Sequence, residues 1–355
     1  RRARPVGAAA LCPGALAPEP AGTPVVTLAE LARFLRSPVG TFLAGRLGVR
    51  IPGADAPRGD DIETSLTGLE RWRSAERLVR AVRSGHRAED WARHERALGA
   101  IPPGGLGDLA TGSIASAVGT LVALAESLGC DVLGSAEPSA EVDIWLEGGT
   151  RVVGTVPGGG SPERPGPASV TCTRPQPTHH LRDALDLAAL VAADPAPSWR
   201  SVTVRRADRG EGADALVLEP VDDEPELRRA AAARLLEVVV DCYRRALREP
   251  VPLWPRISRA IYEGRARESD WRGRIDPREG DDARTRLAFG TLSLAEIRSA
   301  PARAGDPPGS AVGRADRFAH YLWEAVDSFA HPVASGAPTA RAARGRPERA
   351  PRGAG

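Results

Sequence analysis

Four acidic residues in the middle of the chain have the chemistry that a metal-dependent nuclease needs. Asp143 and Glu147 stand an even number apart in one predicted strand, and Asp183 and Asp186 lie in a helix predicted further along. Carboxylates grouped around Mg²⁺ can clamp a phosphate and activate a water molecule. No motif fixes the geometry of these four residues, however, and acids on strand edges and helix surfaces are mostly solvated. The sequence therefore favours four surface acids over a metal site.

Two adjacent histidines and one glycine-rich segment are further candidates for chemistry. His179 and His180 open a predicted helix without a third ligand at metal spacing, so we interpret them as surface residues. The segment GTVPGGG at 154–160 leads into a proline-rich loop and a strand. It therefore lacks the helix N-terminus that holds a nucleotide phosphate. The chain also has no lysine, and arginine cannot act as a Schiff-base or Walker A lysine.

Arginine and tryptophan side chains provide the candidates for contact with DNA. Arg174, Arg205 and Arg206, and the arginine-rich stretch at 256–274, could meet phosphates, although a solvated face explains them as well. The seven tryptophans could stack on bases, but most stand among apolar neighbours at helix or strand spacing. Core packing is the better interpretation for those. Trp254, in the turn PVPLWP, is predicted to be the exception, so the predicted DNA contacts are Arg174, Arg205, Arg206 and Trp254.

The composition is that of an ordinary globular protein. Of 355 residues, 42% are hydrophobic and 26% are charged, and the net charge of +2 is too small to imply a nucleic-acid partner by itself. No uninterrupted apolar run reaches the roughly 18 residues of a membrane span. Cysteines that stand far apart exclude a CxxC zinc or redox motif and favour a reduced, cytosolic compartment. Methionine and asparagine are absent together with lysine, which indicates compositional bias, and we expect a piece of a longer chain.

A proline corner joins the first two predicted helices. Thr27 and Glu30 have the spacing of a capping box and precede an apolar stripe at helical spacing. Ser37 stands before Pro38, so the first helix is expected to end there and the second to begin. We expect the apolar corner at 28–47 to pack across a sheet or against a partner subunit.

The hydrophobic period changes from helical to strand-like after residue 130. A helix over 107–128 is followed by a hairpin that turns at Gly148-Gly149 and then by strands and helices in mixed order. This order predicts an α/β (α+β) fold, with a small mixed sheet flanked by helices. The predicted segments are a linker or cut end at 1–23, a helical part at 24–130, sheet and helices at 131–332, and a disordered tail at 333–355. The third segment is predicted to contain strands at 141–147, 150–156, 168–173, 198–206 and 213–220, a loop at 158–167, and helices at 179–194, 223–249 and 315–330.

Six short segments resemble, in their order, the C-terminal region of the RecC family, the gamma subunit of exodeoxyribonuclease V. The segments span about residues 24–330 and are TLAELARFLRSPVGTFLAGRLGVRI, LERW, ALGAIPPGGLG, RVVGTV, LREPVPLWP and RFAHYLWEAV. Each segment alone is a weak signal, but six in register are more specific. The resemblance implies that residues 24–332 form a degenerate nuclease-like domain of the PD-(D/E)XK, or restriction-endonuclease-like, type.

The resemblance also implies a function and a set of partners. The chain would be a non-catalytic DNA-binding and scaffold subunit of the helicase–nuclease complex that processes double-strand breaks for homologous recombination. Its partners would be a helicase–nuclease subunit (RecB-like), a helicase subunit (RecD-like) and double- and single-stranded DNA, in the cytoplasm and without a membrane. Those partner subunits would use ATP and Mg²⁺, and this chain would hold no cofactor.

The residues themselves agree with a lost active site. Active relatives carry an acid after the glycine of the second strand, and an acid and a lysine on the third. Here Thr155 follows Gly154, and the third strand reads SVTCT over 169–173. We therefore predict no catalytic, cofactor-binding or metal-binding residue in this chain. Two alternatives stay open: a stand-alone Mg²⁺-dependent nuclease built on Asp143 and Glu147, and an interaction module without a role on DNA.

Overall fold

The structure is a computed structural model that describes Leu16 and residues 25–51, 66–131, 139–210, 212–273 and 278–333. Of the linker predicted at 1–23, only Leu16 is among the described residues. Of the tail predicted at 333–355, only the first residue is. The backbone N–H of Leu16 donates to the carbonyl oxygen of Arg248 (2.8 Å), which ties this residue to the folded part of the chain.

The predicted proline corner is present in the first elements of the fold. These elements are β1 (Val25–Thr27), α1 (Leu28–Arg36), α2 (Pro38–Thr41) and a π-helical turn (Phe42–Arg46). The capping box is confirmed, because the Thr27 N–H donates to the Glu30 carboxylate (2.8 Å) and the Glu30 N–H donates to Thr27 Oγ1 (3.2 Å). Ser37 Oγ accepts the N–H of Gly40 (3.2 Å) and so starts α2. The second predicted helix differs from expectation, since a π-turn follows its first α-helical turn.

A three-stranded sheet contains the predicted hairpin. Strands β2 (Ala140–Trp145) and β3 (Arg151–Val156) pair antiparallel, and β1 pairs parallel with β3. The hairpin turn needs Gly149, whose φ of 72° lies in the left-handed region that favours glycine. The hairpin is therefore confirmed, whereas the sequence pattern does not predict β1.

A five-stranded sheet lies at the centre of the fold. Its strands, in spatial order, are β4 (Gly159–Ser161), β5 (Arg164–Val170), β6 (Ser201–Arg206), β7 (Ala213–Pro220) and β8 (Ala330–Val333). Strands β5 and β6 are parallel and are connected by helix α6 (Pro177–Ala193), and the other pairs are antiparallel. The loop predicted at 158–167 is wrong, because these residues form most of the β4–β5 hairpin. The sequence also does not predict β8, which pairs with a strand more than a hundred residues earlier in the chain.

Three helices form a module that packs on one face of the five-stranded sheet. They are α3 (Gly68–Arg83), α4 (Ala88–Ala97) and α5 (Gly104–Ser127). The buried cluster between the module and the sheet, which we call the module core, includes Leu78, Trp91, Ile114, Val118, Val202 and Val204. Within the module, the buried carboxylate of Glu95 accepts hydrogen bonds from Ser74 Oγ (2.6 Å) and Arg77 Nε (2.5 Å).

The remaining helices form two further buried clusters with the corner and the sheets. They are α7 (Pro225–Ala246), α8 (Pro255–Tyr262), α9 (Glu268–Trp271), α10 (Ala283–Phe289), α11 (Leu294–Ser299) and α12 (Arg314–Phe329), with a 3₁₀ turn at Glu279–Asp281. The sheet core joins α1, α6, α7 and α12 to both sheets and includes Phe34, Ile144, Leu185, Leu218, Val239 and Trp323. The corner core joins the π-helical turn to α8, α9 and α11 and includes Phe42, Leu43, Trp254, Ile257, Trp271 and Ile297.

The proline corner connects these last two cores. Phe34, on α1, is fully buried in the sheet core, and Phe42, on the π-helical turn, is fully buried in the corner core. Helix α1 also contacts β3, which confirms the expectation that the corner packs across a sheet. Both phenylalanine side chains are thus buried by other residues of this chain.

The architecture confirms a mixed α/β fold with small mixed sheets flanked by helices. The degenerate PD-(D/E)XK assignment and the segment boundaries stay predictions. Among the described residues, α5 alone is long and apolar enough to cross a membrane by length and composition. Core helices pass the same test, and α5 buries Ile114, Val118 and Leu121 in the module core. The helix is therefore weak evidence for a span.

Candidate nucleic-acid interface

The two acids predicted on a strand face are on the surface, as expected. Asp143 and Glu147 are both exposed, at the edge strand β2 and in the turn after it. Asp143 forms a bidentate ion pair with Arg151, with Nε–Oδ1 and Nη2–Oδ2 distances of 2.7 and 2.6 Å. The hydrogen bonds from Arg151 lower the pKa of the Asp143 carboxyl. This carboxylate is thus engaged by a neighbouring cation.

The two acids predicted on the helix are not on the surface, so that part of the interpretation is wrong. Asp183 and Asp186 lie on α6 and are 8% and 5% exposed. Asp183 Oδ1 accepts a hydrogen bond from Thr203 Oγ1 (3.0 Å), and Asp186 Oδ2 accepts one from Arg182 Nε (2.6 Å). Burial raises the pKa of Asp183 to about 7 and also raises the pKa of Asp186. The physical reason is that α6 packs against strands of both sheets and against α1, α7, α8 and α12.

The adjacent histidines are also less exposed than predicted. The Nε2 atom of His179 lies 3.2 Å from Thr173 Oγ1, and the ring of His180 packs edge-on against Trp323 at 5.6 Å between centroids. Burial lowers the pKa of both rings, that of His180 to about 4, so both are neutral at pH 7. Across the described part of the chain, histidine, cysteine and acidic residues form no group of three or more that could hold a metal ion.

The strand positions at which the resemblance to a nuclease fold would place an active site hold neutral side chains. Thr155 is exposed on β3, and Thr171 and Cys172 follow the end of β5. The Glu76 carboxylate, on α3, accepts hydrogen bonds from Thr171 Oγ1 (2.8 Å) and from the Cys172 N–H (2.7 Å). Burial raises the pKa of the Cys172 thiol to about 12, so this thiol is protonated at neutral pH and is no nucleophile.

The four predicted DNA contacts lie in different environments. Arg174 is exposed, and Arg206 is half-buried. Arg205 is half-buried and paired with Asp214, with an Nη2–Oδ2 distance of 3.1 Å. The prediction that Trp254 is the exposed tryptophan is wrong, because it is 4% exposed in the corner core. Its indole N–H donates to Thr285 Oγ1 (3.0 Å).

Trp254 is buried because the proline turn positions its side chain between two other aromatic rings. It precedes the first turn of α8 and packs against Trp271 (4.7 Å between centroids) and Phe289 (5.0 Å). The exposed tryptophans are Trp145 and Trp72, at 65% and 38% exposure. Helical spacing with apolar neighbours predicts Trp72 to be a core residue, which the structure does not support.

Arg174 and Trp254 line the same groove, although they are far apart in sequence. The groove encloses about 620 Å³ between the proline corner, the N-terminal ends of α6 and α8, and the 3₁₀ turn. Its arginines, from which we name it the arginine groove, are Arg36, Arg174, Arg256, Arg278 and Arg284, and its acids are Asp208, Glu279 and Asp282. Five cations against three acids give the groove a positive balance.

Two helix ends in the arginine groove differ in how they are capped. At the start of α8, the Glu279 carboxylate accepts the N–H groups of Arg256 (3.0 Å) and Ile257 (2.8 Å). The start of α6, at Pro177, has no side-chain cap. Three arginines of the groove are exposed, with no ion-pair partner among the residues that the structure describes: Arg36, Arg174 and Arg256. The sequence gives no signal for Arg36, since only the fold brings the proline corner beside α6 and α8.

Comparison with known proteins agrees with the resemblance in the sequence. A family model described as the RecC C-terminal domain matches residues 23–266. The chain belongs to the RecC C-terminal domain family. Two curated relatives are the RecBCD enzyme subunits RecC of Mycobacterium tuberculosis strains CDC 1551 / Oshkosh and ATCC 25618 / H37Rv, each 29% identical over 311 residues. This alignment covers 84% of the chain but 26% of each relative, so the chain spans about a quarter of the length of these RecC proteins.

The RecC match extends from β1 to α8 and so includes both sheets except β8. It also includes Arg36, Arg174 and Arg256 of the arginine groove, whereas Arg278 and Arg284 lie beyond its end. The three exposed cations of the groove are therefore part of the RecC-like region.

Proposed function

We propose that the chain is a non-catalytic, DNA-binding scaffold of an exodeoxyribonuclease V helicase–nuclease complex that acts in double-strand break repair by homologous recombination. Membership of the RecC C-terminal domain family and two relatives named as RecBCD enzyme subunits support this assignment. One observation carries the non-catalytic part: the four acidic candidates are divided between an exposed strand edge and the buried side of α6. A two-metal or one-metal nuclease needs carboxylates that converge on one open site.

The arginine groove supports the DNA-binding part of the proposal. Phosphate contacts by arginine provide most sequence-independent affinity for DNA. Exposed Arg36, Arg174 and Arg256 can turn to a phosphate without breaking an ion pair with a described residue. The first turn of α6 adds the positive end of a helix dipole and the backbone N–H of Thr178, since Pro177 has no N–H and the N–H of His179 donates to Gln176. Glu279 occupies the corresponding position at α8, so we place the phosphate at α6.

The partners and compartment follow from the same proposal. We propose a RecB-like helicase–nuclease subunit, a RecD-like helicase subunit and double- and single-stranded DNA as the partners, in the cytoplasm. ATP and Mg²⁺ would act in those partner subunits, with no cofactor in this chain.

A first experiment tests the non-catalytic part. The purified chain is incubated with linear DNA and Mg²⁺, and we expect no degradation, with or without the substitution Asp143→Ala. Degradation that disappears on chelation and in Asp143→Ala would instead establish a stand-alone nuclease. Degradation that persists in the variant would also contradict the proposal, because it would need a site that the acidic candidates do not supply.

A second experiment tests the arginine groove. We expect the triple variant Arg36→Ala, Arg174→Ala, Arg256→Ala to bind duplex DNA more weakly, with a salt dependence that falls by about 0.9 in log–log slope for each phosphate that the variant no longer neutralises. The matched control removes three exposed arginines elsewhere, Arg87, Arg93 and Arg229. An equal weakening in both triple variants would show that only net charge matters and would contradict a groove-specific contact.

A further inference from the structure

A second cleft, which shares no lining residue with the arginine groove, contains an exposed tryptophan. It lies between α3, α5 and the chain at the ends of β5 and β6, and it encloses about 160 Å³. Trp72, Arg71 and Arg206 are among its lining residues, and we call it the tryptophan cleft. Arg206 is one of the predicted DNA contacts, and the structure places it in one cleft with a tryptophan that the sequence pattern assigns to a core.

The position of Trp72 follows from how α3 is built. A capping box of Thr67 and Glu70 starts the helix, and Ala75, Leu78 and Val79 are its buried apolar residues. Trp72 lies outside this stripe and leaves 38% of its surface exposed. Folding covers most of this tryptophan, and the part that stays exposed adds flat apolar surface to the cleft, a feature typical of binding surfaces.

The charges of the tryptophan cleft suit a phosphate. The Arg206 guanidinium forms no hydrogen bond or ion pair within the described part of the chain, although its backbone N–H donates to the carbonyl oxygen of Thr173 (3.0 Å). Arg71 donates to the Ser113 hydroxyl. Because this hydroxyl is neutral, the hydrogen bond does not neutralise the positive charge of Arg71. Of the described residues that line the cleft, none is acidic. Glu76 lies at the same strand end, where it accepts hydrogen bonds from Thr171 and Cys172, so the cleft and its edge together hold two arginines and one acid.

The remaining walls of the cleft leave room for a flat ring. Small side chains on α3 and α5 line it, among them Ala75, Ser113, Ser116 and Ala117. Hydroxyl groups next to a flat apolar face can accept or donate hydrogen bonds at the edge of a ring without excluding it. A volume of about 160 Å³ with one aromatic wall is suited to one planar group rather than to a folded element of a protein partner.

We propose that the tryptophan cleft captures one unpaired base of single-stranded DNA, with the base stacked on Trp72 and an adjoining phosphate on Arg206. Stacking on an exposed aromatic ring combined with arginine contacts to the backbone is how proteins bind single strands without reading sequence. The inference rests on the proposed function for its choice of DNA. The arginine groove has its tryptophan buried, so it can hold a backbone but offers no ring to a base. The two sites would therefore differ in their preference for unpaired strands.

The test measures binding of the full chain to a fluorescently labelled dT oligonucleotide and to a duplex of the same length. We expect Trp72→Ala to weaken oligonucleotide binding about tenfold or more and duplex binding within about twofold. Trp72→Phe keeps a ring and should recover most of the affinity. Arg206→Gln should lower the log–log salt slope for the oligonucleotide by about 0.7. Trp145→Ala, which removes a more exposed tryptophan outside the cleft, is the matched control and should bind like the wild type.

Each outcome separates this inference from the proposed function. If Trp72→Ala binds the oligonucleotide as tightly as the wild type, or if Trp145→Ala weakens it equally, the tryptophan cleft does not hold a base. If the wild type binds neither oligonucleotide nor duplex, the proposed DNA role itself fails. If Trp72→Ala keeps its DNA affinity but loses a partner subunit in co-purification, the cleft is a protein contact and the inference is overturned.

Discussion

At the scale of single residues, burial separates acids that look alike in sequence. Asp143 and Asp183 both stand in regular elements with mixed neighbours, yet one is exposed in an ion pair and the other lies under a sheet. The exposure of Asp143 is predictable, because β2 alternates buried and exposed residues. The burial of Asp183 is not, because α6 is enclosed by elements from four distant parts of the chain. Its hydrogen-bond donor Thr203 is bonded in turn to Ser169, with 2.8 Å between the hydroxyl oxygens, and these two residues come from neighbouring strands of the sheet.

The buried carboxyl of Asp183 gives a prediction about pH. Its pKa of about 7 in the folded chain exceeds the ordinary 3.8, so the folded state holds the extra proton between these values. The free energy of unfolding therefore falls as pH rises from about 4 to 7, by up to about 4 kcal/mol at 1.36 kcal/mol per pH unit. We expect Asp183→Asn, whose amide oxygen can still accept from Thr203, to remove this loss, so that the variant gains on the wild type between pH 5 and pH 8.

Urea unfolding at pH 5 and pH 8 measures the effect of this substitution. Asp143→Asn is the matched control, since it changes an exposed carboxylate whose pKa is lowered, and we expect the change in its stability from pH 5 to pH 8 to follow that of the wild type. A stability difference between Asp183→Asn and the wild type that is the same at pH 5 and at pH 8 would mean that the pKa of Asp183 is not raised in the folded state.

At the scale of elements, caps and turns that depend on neighbouring residues are predictable from the sequence, whereas pairing between distant strands is not. The capping box at Thr27, the Ser37-Pro38 corner and the Gly149 hairpin are fixed by residues within four positions of one another, and all three are present. The strands that the sequence pattern does not predict, β1, β4 and β8, are three or four residues long. Strands β1 and β8 pair with partners more than a hundred residues away, so no local periodicity marks them.

Two glycines in different elements should respond in opposite directions to the same substitution. Gly166, in β5, has a φ of 142°, and an added Cβ would stand 1.9 Å from the carbonyl oxygen of Arg200. We expect Gly166→Ala to lower the free energy of unfolding by more than about 2 kcal/mol, because both the backbone and the space forbid it. Gly119, in the middle of α5, has open space around it, so Gly119→Ala should stabilise by up to about 1 kcal/mol. Thermal unfolding of the two variants measures both changes, and a neutral Gly166→Ala would contradict this account of the β4–β5 hairpin.

At the scale of the whole molecule, the candidate site is assembled from segments that the chain order keeps apart. The arginine groove takes residues from the proline corner, the start of α6, the start of α8 and the turn near residue 280. Sequence reasoning selects Arg174 because an arginine can meet a phosphate, and it selects Trp254 because it expects an exposed ring, which is wrong. It cannot place Arg36 there, because that depends on the corner packing between two cores.

The proline corner should therefore couple the stability of the two cores that it joins. Phe42 is fully buried in the corner core with Trp254 and Trp271, and Phe34, eight positions earlier in the chain, is fully buried in the sheet core. Removing a buried phenylalanine side chain costs about 3–5 kcal/mol, and we expect Phe42→Ala to be destabilised by that much. If the cores unfold as one unit, circular dichroism and tryptophan fluorescence will report the same shifted transition in urea. Leu69→Ala, which truncates an exposed side chain of α3, should leave the transition within about 0.5 kcal/mol of the wild type. Two separate transitions in Phe42→Ala would show that the corner core unfolds alone, and the arginine groove would then come apart before the sheet core unfolds.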